Sequence, residues 1–261
     1  MDSVNKTLYI PLYGKAYVSR KGIILTDKKA EEIWQKEGFS LKGKSKSKWL
    51  AYYMAIRSAV FDSWTKQQLD GDGDAVVVHI GCGMDSRVLR VGNTGHSWYD
   101  VDFDSVISER KRYYTENENY HMVAADARQQ NWLENIPRAK SAVVVMEGVS
   151  MYMTATEVQA VADMLADHFG QVSLFVDCYT VMAAKLSKYK NPINDVGVTQ
   201  VYGIDNPKEF EGKNMVFVKE HDMTPDRFSD CLSGAEKLIF KKIYAGSFAK
   251  KLYRLYEYKS K

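Results

Sequence analysis

The 261-residue chain is poor in cysteine and proline, has no long apolar run and carries almost no excess of charge. Each shortage removes a class of protein. Cys82, Cys178 and Cys231 are odd in number and lack metal-ligand spacing, so neither a disulfide framework nor a zinc site is expected and all three should be reduced thiols. No apolar stretch approaches the ~20 residues of a membrane span, and the opening "MDSVNKTLYIPLYGK" lacks the basic start and apolar centre of a secretory signal. The expected location is the cytoplasm, with no membrane partner. With 36 basic and 33 acidic residues the net charge is +3, too balanced to advertise nucleic acid. The one local excess, "KGKSKSK" at 42–48, is spaced by Gly and Ser and reads as a solvated loop.

What is present is a repeat of strand and helix. Short apolar runs begin at Ala75 ("AVVVHI"), Trp98 ("WYDV"), Tyr120 ("YHMVAA"), Ser141 ("SAVVVM") and Val172 ("VSLFV"), separated by segments able to form helices. Runs this continuously apolar suit strands buried on both faces, which predicts an α/β fold with a parallel sheet and right-handed crossovers. Upstream, 45–69 places Trp49, Tyr53, Ile56, Val60 and Trp64 at spacings of three and four, a long amphipathic helix. Before it, 26–38 reads as a shorter helix opened by Thr26 or Asp27 and closed by Gly38. Residues 1–70 are therefore expected to be a helical N-terminal extension and 71–261 the α/β core. A Pro/Gly/Asn/Asp-rich stretch within about 187–211 is expected to form a lid. Residues 214–219 and 252–258 look like strands again, the latter suited to antiparallel pairing.

In open α/β sheets ligands sit beyond the carboxyl ends of the strands. Each early strand delivers an acid there: Asp85, Asp102, Asp126 and Glu147 follow the first four, and Asp177 ends the fifth. Any one of them could simply cap a helix. Four in succession point to a ligand site. Asp102 follows Gly81 by 21 residues, near the ~20 at which an acid meets ribose hydroxyls in nucleotide-binding units. The turn "GCG" is weak on its own, and Ser86 stands where a dinucleotide fingerprint wants a third glycine. A pyrophosphate beside Asp85 would meet a like charge in a partly dry site, at a cost on the order of several kcal/mol. S-adenosylmethionine has the adenosine, no phosphate, and an ammonium and sulfonium that welcome carboxylates. That disfavours an NAD-dependent oxidoreductase.

The blocks "IGCGMDSRVLR", "WYDVDFDSVISERKRYY", "VAADAR" and "VMEGVSMYM", in this order, resemble the leucine carboxyl methyltransferase family, more closely its bacterial branch of polyketide O-methyltransferases. "LYIPLYGKAYVSRKG" and "VYGIDNPKEF" extend the resemblance over about 8–211. It implies a Rossmann-like class I methyltransferase with a seven-stranded sheet, its last strand antiparallel, beneath a helical cover. It also implies S-adenosyl-L-methionine as cofactor and an oxygen as methyl acceptor. The cofactor turn then falls on Gly81, Gly83 and Asp85, the ribose acid on Asp102, and the adenine side on Asp126 and Ala127. Glu147 is the acid facing the methionyl ammonium, and Arg57 reaches the cofactor or acceptor carboxylate. Tyr152 would face the methyl group from the start of a helix. Two departures from the family pattern are Asp104 in place of a proline and Cys82 in place of a smaller residue.

The remaining candidates are plainer. Lys15 and Arg20 read as surface charges on a segment with few structural signals, although either could meet an acidic acceptor. Arg57 alone could be an arginine snorkelling over the apolar face of its helix. Tyr202 lies in the expected lid. His79 reads as a satisfied core histidine, His121 lies at the wrong end of its strand, and His96, His168 and His221 have no motif around them. The absence of a histidine base favours an acceptor that is already ionised: a carboxylic acid has pKa near 4, a phenol near 10. The expected function is methyl transfer to a small-molecule oxygen, a carboxylate. The alternatives are methylation of a protein's C-terminal carboxylate and a catalytically silent protein that binds S-adenosylmethionine.

Overall fold

The computed structural model describes residues 8–38, 43–92, 95–190 and 200–261. Residues 191–199 of the expected lid, and Lys42 of the lysine-rich loop, lie outside the described residues.

The apolar runs become the strands β1 (Val76–Ile80), β2 (Trp98–Asp102), β3 (Tyr120–Ala124), β4 (Ser141–Met146) and β5 (Gln171–Tyr179). They are joined by β6 (Met215–His221) and β7 (Tyr253–Ser260) in one sheet of order β3-β2-β1-β4-β5-β7-β6. The first five are mutually parallel, and β7 runs antiparallel to both β5 and β6. The reversal in order between β1 and β4 opens a crevice at the carboxyl ends of these strands.

Before the sheet come α1 (Tyr9–Lys21), α2 (Lys28–Glu37) and α3 (Lys48–Gly71). The segment read as poor in signals is thus a helix. Pro11 sits in its first turn, where an amide donor has no intrahelical partner to lose, and Gly22 closes it at φ 67° with its N–H on Ser19 O. Asp27 caps α2 by accepting the Ala30 N–H at 2.8 Å, and Gly38 ends it in the left-handed region. The middle of α3 is buried nearly all round, Ala55 through Phe61 included, because the helix lies between α1 and the sheet. An amphipathic pattern understated that: a helix packed on two sides needs no polar face.

The strand period of two sorts the core into two layers. Val77, Trp98, Val143, Val145, Phe175 and Leu255 pack toward α1–α3, with Phe61 tilted against Phe175 at 4.4 Å and Trp64 stacked on it at 4.9 Å. Val78, Ile80, Val101, Val144, Leu174 and Val176 pack on the opposite side against α6 (Ala155–His168), after α4 (Arg87–Val91) and α5 (Asp104–Arg110) in chain order. Thr154 and Glu157 start α6 with a reciprocal capping box.

Candidate active site

Beyond the ends of β1 and β4 the chain makes two tight turns at Gly81 and Gly148. Gly81 has φ 67°, and a Cβ there would lie 2.1 Å from Val149 Cγ2, so only glycine lets the two loops close on each other. Gly148, at φ 76°, brings its backbone against the Arg57 guanidinium. Two cavities open around these turns. One of about 190 Å³ is lined by Lys15, Arg57, His79, Asp85 and Glu147 together with apolar Leu50, Met54 and Met151. The other, about 130 Å³, is lined by Asp102, Phe103, Asp126, Ala127 and Arg128. Gly81 and Tyr152 belong to both, so the cavities are two ends of one crevice.

The predicted residues distribute along it. Asp102 receives the N–H groups of Gly83 and Phe103, each at 2.8 Å, which locks the glycine turn to the end of β2. Burial nevertheless pushes its carboxyl above the ordinary range. Asp126 is clamped by the Arg128 guanidinium, with Nη2 at 2.6 Å, and its pKa is lowered by that contact. Ala127 lines the same wall. Asp85 is not the bare carboxylate its place in the turn suggested: Lys15 Nζ donates to it at 2.8 Å and Arg90 Nη1 at 2.7 Å. Burial opposes its ionisation, but Arg90, Lys15 and Arg87 together hold it well below the usual range.

Glu147 accepts from Arg57 Nε at 2.9 Å, from Ser58 Oγ at 2.8 Å and from Arg87 Nη2. Against the penalty of burial, Arg57 and Arg87 bring its pKa down to about 2. Arg57 is therefore no snorkelling side chain. It is buried, and its Nη1 also reaches Asp177 at 3.1 Å and the Tyr253 hydroxyl oxygen at 2.6 Å. Tyr152 closes a short 3₁₀ turn, Ser150–Tyr152, one turn before α6 rather than inside it. Tyr202, in the described part of the expected lid, ties to this turn through its N–H on Met151 O at 2.8 Å.

Sequence reasoning missed several partners. Lys15, read as a surface charge, is 2% exposed because α1 lays it over the cavity. Arg87 and Arg90 were in plain view in "GMDSRVLR", three residues apart and hence on one side of α4, a spacing that could have marked them. Arg87 bonds Asp62 at 2.9 Å, and Arg90 bonds Asp62 at 2.6 Å and Asp27 at 2.7 Å. His79, expected to be a satisfied core histidine, is buried with Nε2 against Arg87, while its Nδ1 makes only an ion-pair contact with Asp100 at 3.2 Å and no hydrogen bond. Arg20 carries a weak backbone contact at 3.5 Å to Glu31 and is exposed. The whole forms one connected network in which five carboxylates (Asp27, Asp62, Asp85, Glu147, Asp177) face four cations (Lys15, Arg57, Arg87, Arg90). Its surplus is negative.

The family model for leucine carboxyl methyltransferase matches residues 5–166. The tetracenomycin polyketide synthesis O-methyltransferase of Streptomyces glaucescens is 28% identical over 215 residues, 82% of this chain and 80% of that one. An S-adenosyl-L-methionine-dependent methyltransferase of Gibberella zeae is 25% identical over 242 residues, 81% of this chain and 78% of that one. Among solved structures, magnesium protoporphyrin IX methyltransferase from Synechocystis, with SAH bound, is similar in fold at TM-score 0.53 and 12% identity, covering 88% of this chain and 93% of that one. The strand order and this likeness make the fold that of class I methyltransferases.

Proposed function

The chain belongs to the leucine carboxyl methyltransferase family, and from that premise we propose that it methylates a carboxylate oxygen of a small apolar molecule. It is an O-methyltransferase whose cofactor is S-adenosylmethionine. That cofactor supplies a methyl group on a sulfonium and carries net positive charge. The negative surplus around Asp85 and Glu147 fits such a group, and would oppose the pyrophosphate of NAD. Ser86, buried and donating to Asp27 at 2.6 Å, further closes the turn that a dinucleotide needs open. In this reading Gly81, Gly83 and Asp102 hold the ribose side, and Asp126 and Ala127 border the adenine. Glu147 and Asp85 accept the methionyl ammonium, while Lys15 and Arg57 face carboxylates.

The observation that carries the carboxylate is the state of the titratable groups lining the larger cavity. Burial raises the hydroxyls of Tyr152 and Tyr253 above their usual range, so neither is a base near neutrality. Asp85 and Glu147 are bound to cations, and His79 Nε2 is engaged by Arg87. None of these five groups offers a ready base. An acceptor that arrives ionised needs only to be held in line with the methyl group, and alignment can supply several kcal/mol, up to ~7–11. Leu50, Met54 and Met151 make the acceptor end apolar. The helices α1–α3 act as the cover over this end. Among the described residues no helix is long and apolar enough to cross a membrane.

The test is to incubate the protein with isotopically labelled S-adenosylmethionine and a panel of aromatic and aliphatic acids, the matching alcohols and phenols, and peptides with free C-termini. Label in an alkali-labile ester of a small acid supports the reading. Label confined to phenols or to peptides replaces it, and cofactor binding without any transfer would identify a silent binding protein.

A further inference from the structure

His79 lies in the middle of β1 on the side facing α1–α3, 1% exposed, against the wall of the larger cavity. Its ring nitrogens face two different charges. Nε2 is 3.1 Å from Arg87 Nη1. A guanidinium has donors and no lone pair, so Nε2 is the acceptor and the ring proton belongs on Nδ1. Nδ1 lies 3.2 Å from Asp100 Oδ1, an electrostatic contact that lacks the alignment of a full hydrogen bond. The arginine has therefore chosen the histidine's tautomer.

Both neighbours lead on to the cofactor site. Arg87 is fully buried, and its other nitrogens donate to Asp62 and Glu147, with Asp85 at 3.5 Å. Asp100 binds Arg110, whose Nη1 donates to Gly83 O at 2.9 Å, and Arg110 lies over Tyr114, whose hydroxyl donates to Met84 O at 3.2 Å. Two successive carbonyls of the glycine turn are thus pinned from behind. We infer that His79, as its neutral Nδ1–H tautomer, is a positioning residue that holds Arg87 against Glu147 at the methionyl end of the site. The inference rests on the reading that Glu147 meets the methionyl ammonium.

The chemistry of the position explains the residue. A carboxylate at 79 would add another acid to a network already in negative surplus and draw Arg87 away from Glu147. An aliphatic side chain would leave Nη1 of a buried guanidinium without an acceptor, so Arg87 would turn to recover one. An imidazole accepts without adding charge.

The variants His79→Leu, His79→Asn and His79→Gln separate this role from packing. Binding of S-adenosylhomocysteine, which has the amino-acid end, is measured by calorimetry beside 5′-methylthioadenosine, which lacks it, with thermal melting as the check of folding. His79→Leu should lose about tenfold in S-adenosylhomocysteine affinity, as for one hydrogen bond to a charged group, with methylthioadenosine unchanged. His79→Gln, whose carbonyl reaches the Nε2 position, should return to within about threefold of the parent. His79→Asn is too short to meet Arg87 and should behave like His79→Leu; if the leucine variant fails to fold, the Asn and Gln pair carries the comparison. Equal loss of both ligands, parental affinity in the Asn and Leu variants, or a Gln variant no better than Asn overturns the inference alone. A parent protein that binds neither ligand overturns the cofactor reading as well.

Discussion

The two faces of the central sheet are made by the same strands and do different work. Toward α6 the strand side chains are Val78, Ile80, Val101, Val144, Met146, Leu174, Val176 and Cys178, a layer without charge. Toward α1–α3, one residue along in each strand, the same backbone presents His79, Asp100 and Asp177, with Glu147 just past the end of β4. A one-residue alternation thus separates an uncharged packing layer from the charged layer proposed to bind the cofactor. The charged layer is tolerable because the helices return cations to it: Lys15 from α1, Arg57 from α3, Arg87 and Arg90 from α4, and Arg110 from α5. Buried acids without those partners would protonate or unfold the site.

The sharpest way to break the comparison is to remove one charge from one face and one methyl cluster from the other. Arg87→Met leaves Glu147 and Asp62 short of a partner and should cost about 3–5 kcal/mol in urea denaturation, along with cofactor affinity. Leu174→Ala on the dry face should cost a similar ~2–5 kcal/mol through its cavity, yet bind S-adenosylmethionine like the parent at temperatures where both are folded. If the Leu174 variant loses affinity to the same degree, the faces are not functionally distinct.

Acid should act on the charged face. The folded pKa values of Glu147 and Asp100 are depressed to about 2, so their stabilisation is present above their unfolded values of about 4.3 and 3.9 and is lost as pH falls toward 2. Asp177, raised by burial, has the opposite sign and softens the effect. The melting temperature should fall steeply between about pH 4.5 and 2, with a shallower slope in Glu147→Gln; an unchanged slope would detach Glu147 from the acid transition.

Smaller effects probe the ligand. Asp102→Ala should lower S-adenosylmethionine affinity about tenfold or more in calorimetry, through the loss of charge-assisted hydrogen bonds worth ~1.5–3 kcal/mol each. Glu147→Gln should weaken the same ligand while sparing methylthioadenosine. Arg57→Lys should be a poor substitute in turnover, because one ammonium cannot replace a fork that meets Glu147, Asp177 and Tyr253 at once. The smallest expected effect is none: with a carboxylate acceptor the turnover rate should stay nearly flat from about pH 6 to 8. A steep rise there would point to a hydroxyl acceptor.

The sequence alone determined what depends on near neighbours. Apolar runs set five strands, Gly81 and Gly83 set the turn, and the recurrence of an acid after each strand marked the edge where the crevice opens. These are local properties, legible because backbone geometry repeats every two or 3.6 residues. The helix α1 escaped because it is buried on both sides and so shows no polar stripe. Which cation answers which acid was decided only by the tertiary structure. Lys15 and Asp85 are 70 residues apart in the chain, Arg57 and Asp177 are 120 apart, and Arg57 and Tyr253 are 196 apart. A lysine in a buried pair and a lysine in solvent have the same sequence signature. Only the packing of α1–α3 onto the sheet removes the water that made those charges interchangeable, and with it gone each must find a partner of its own.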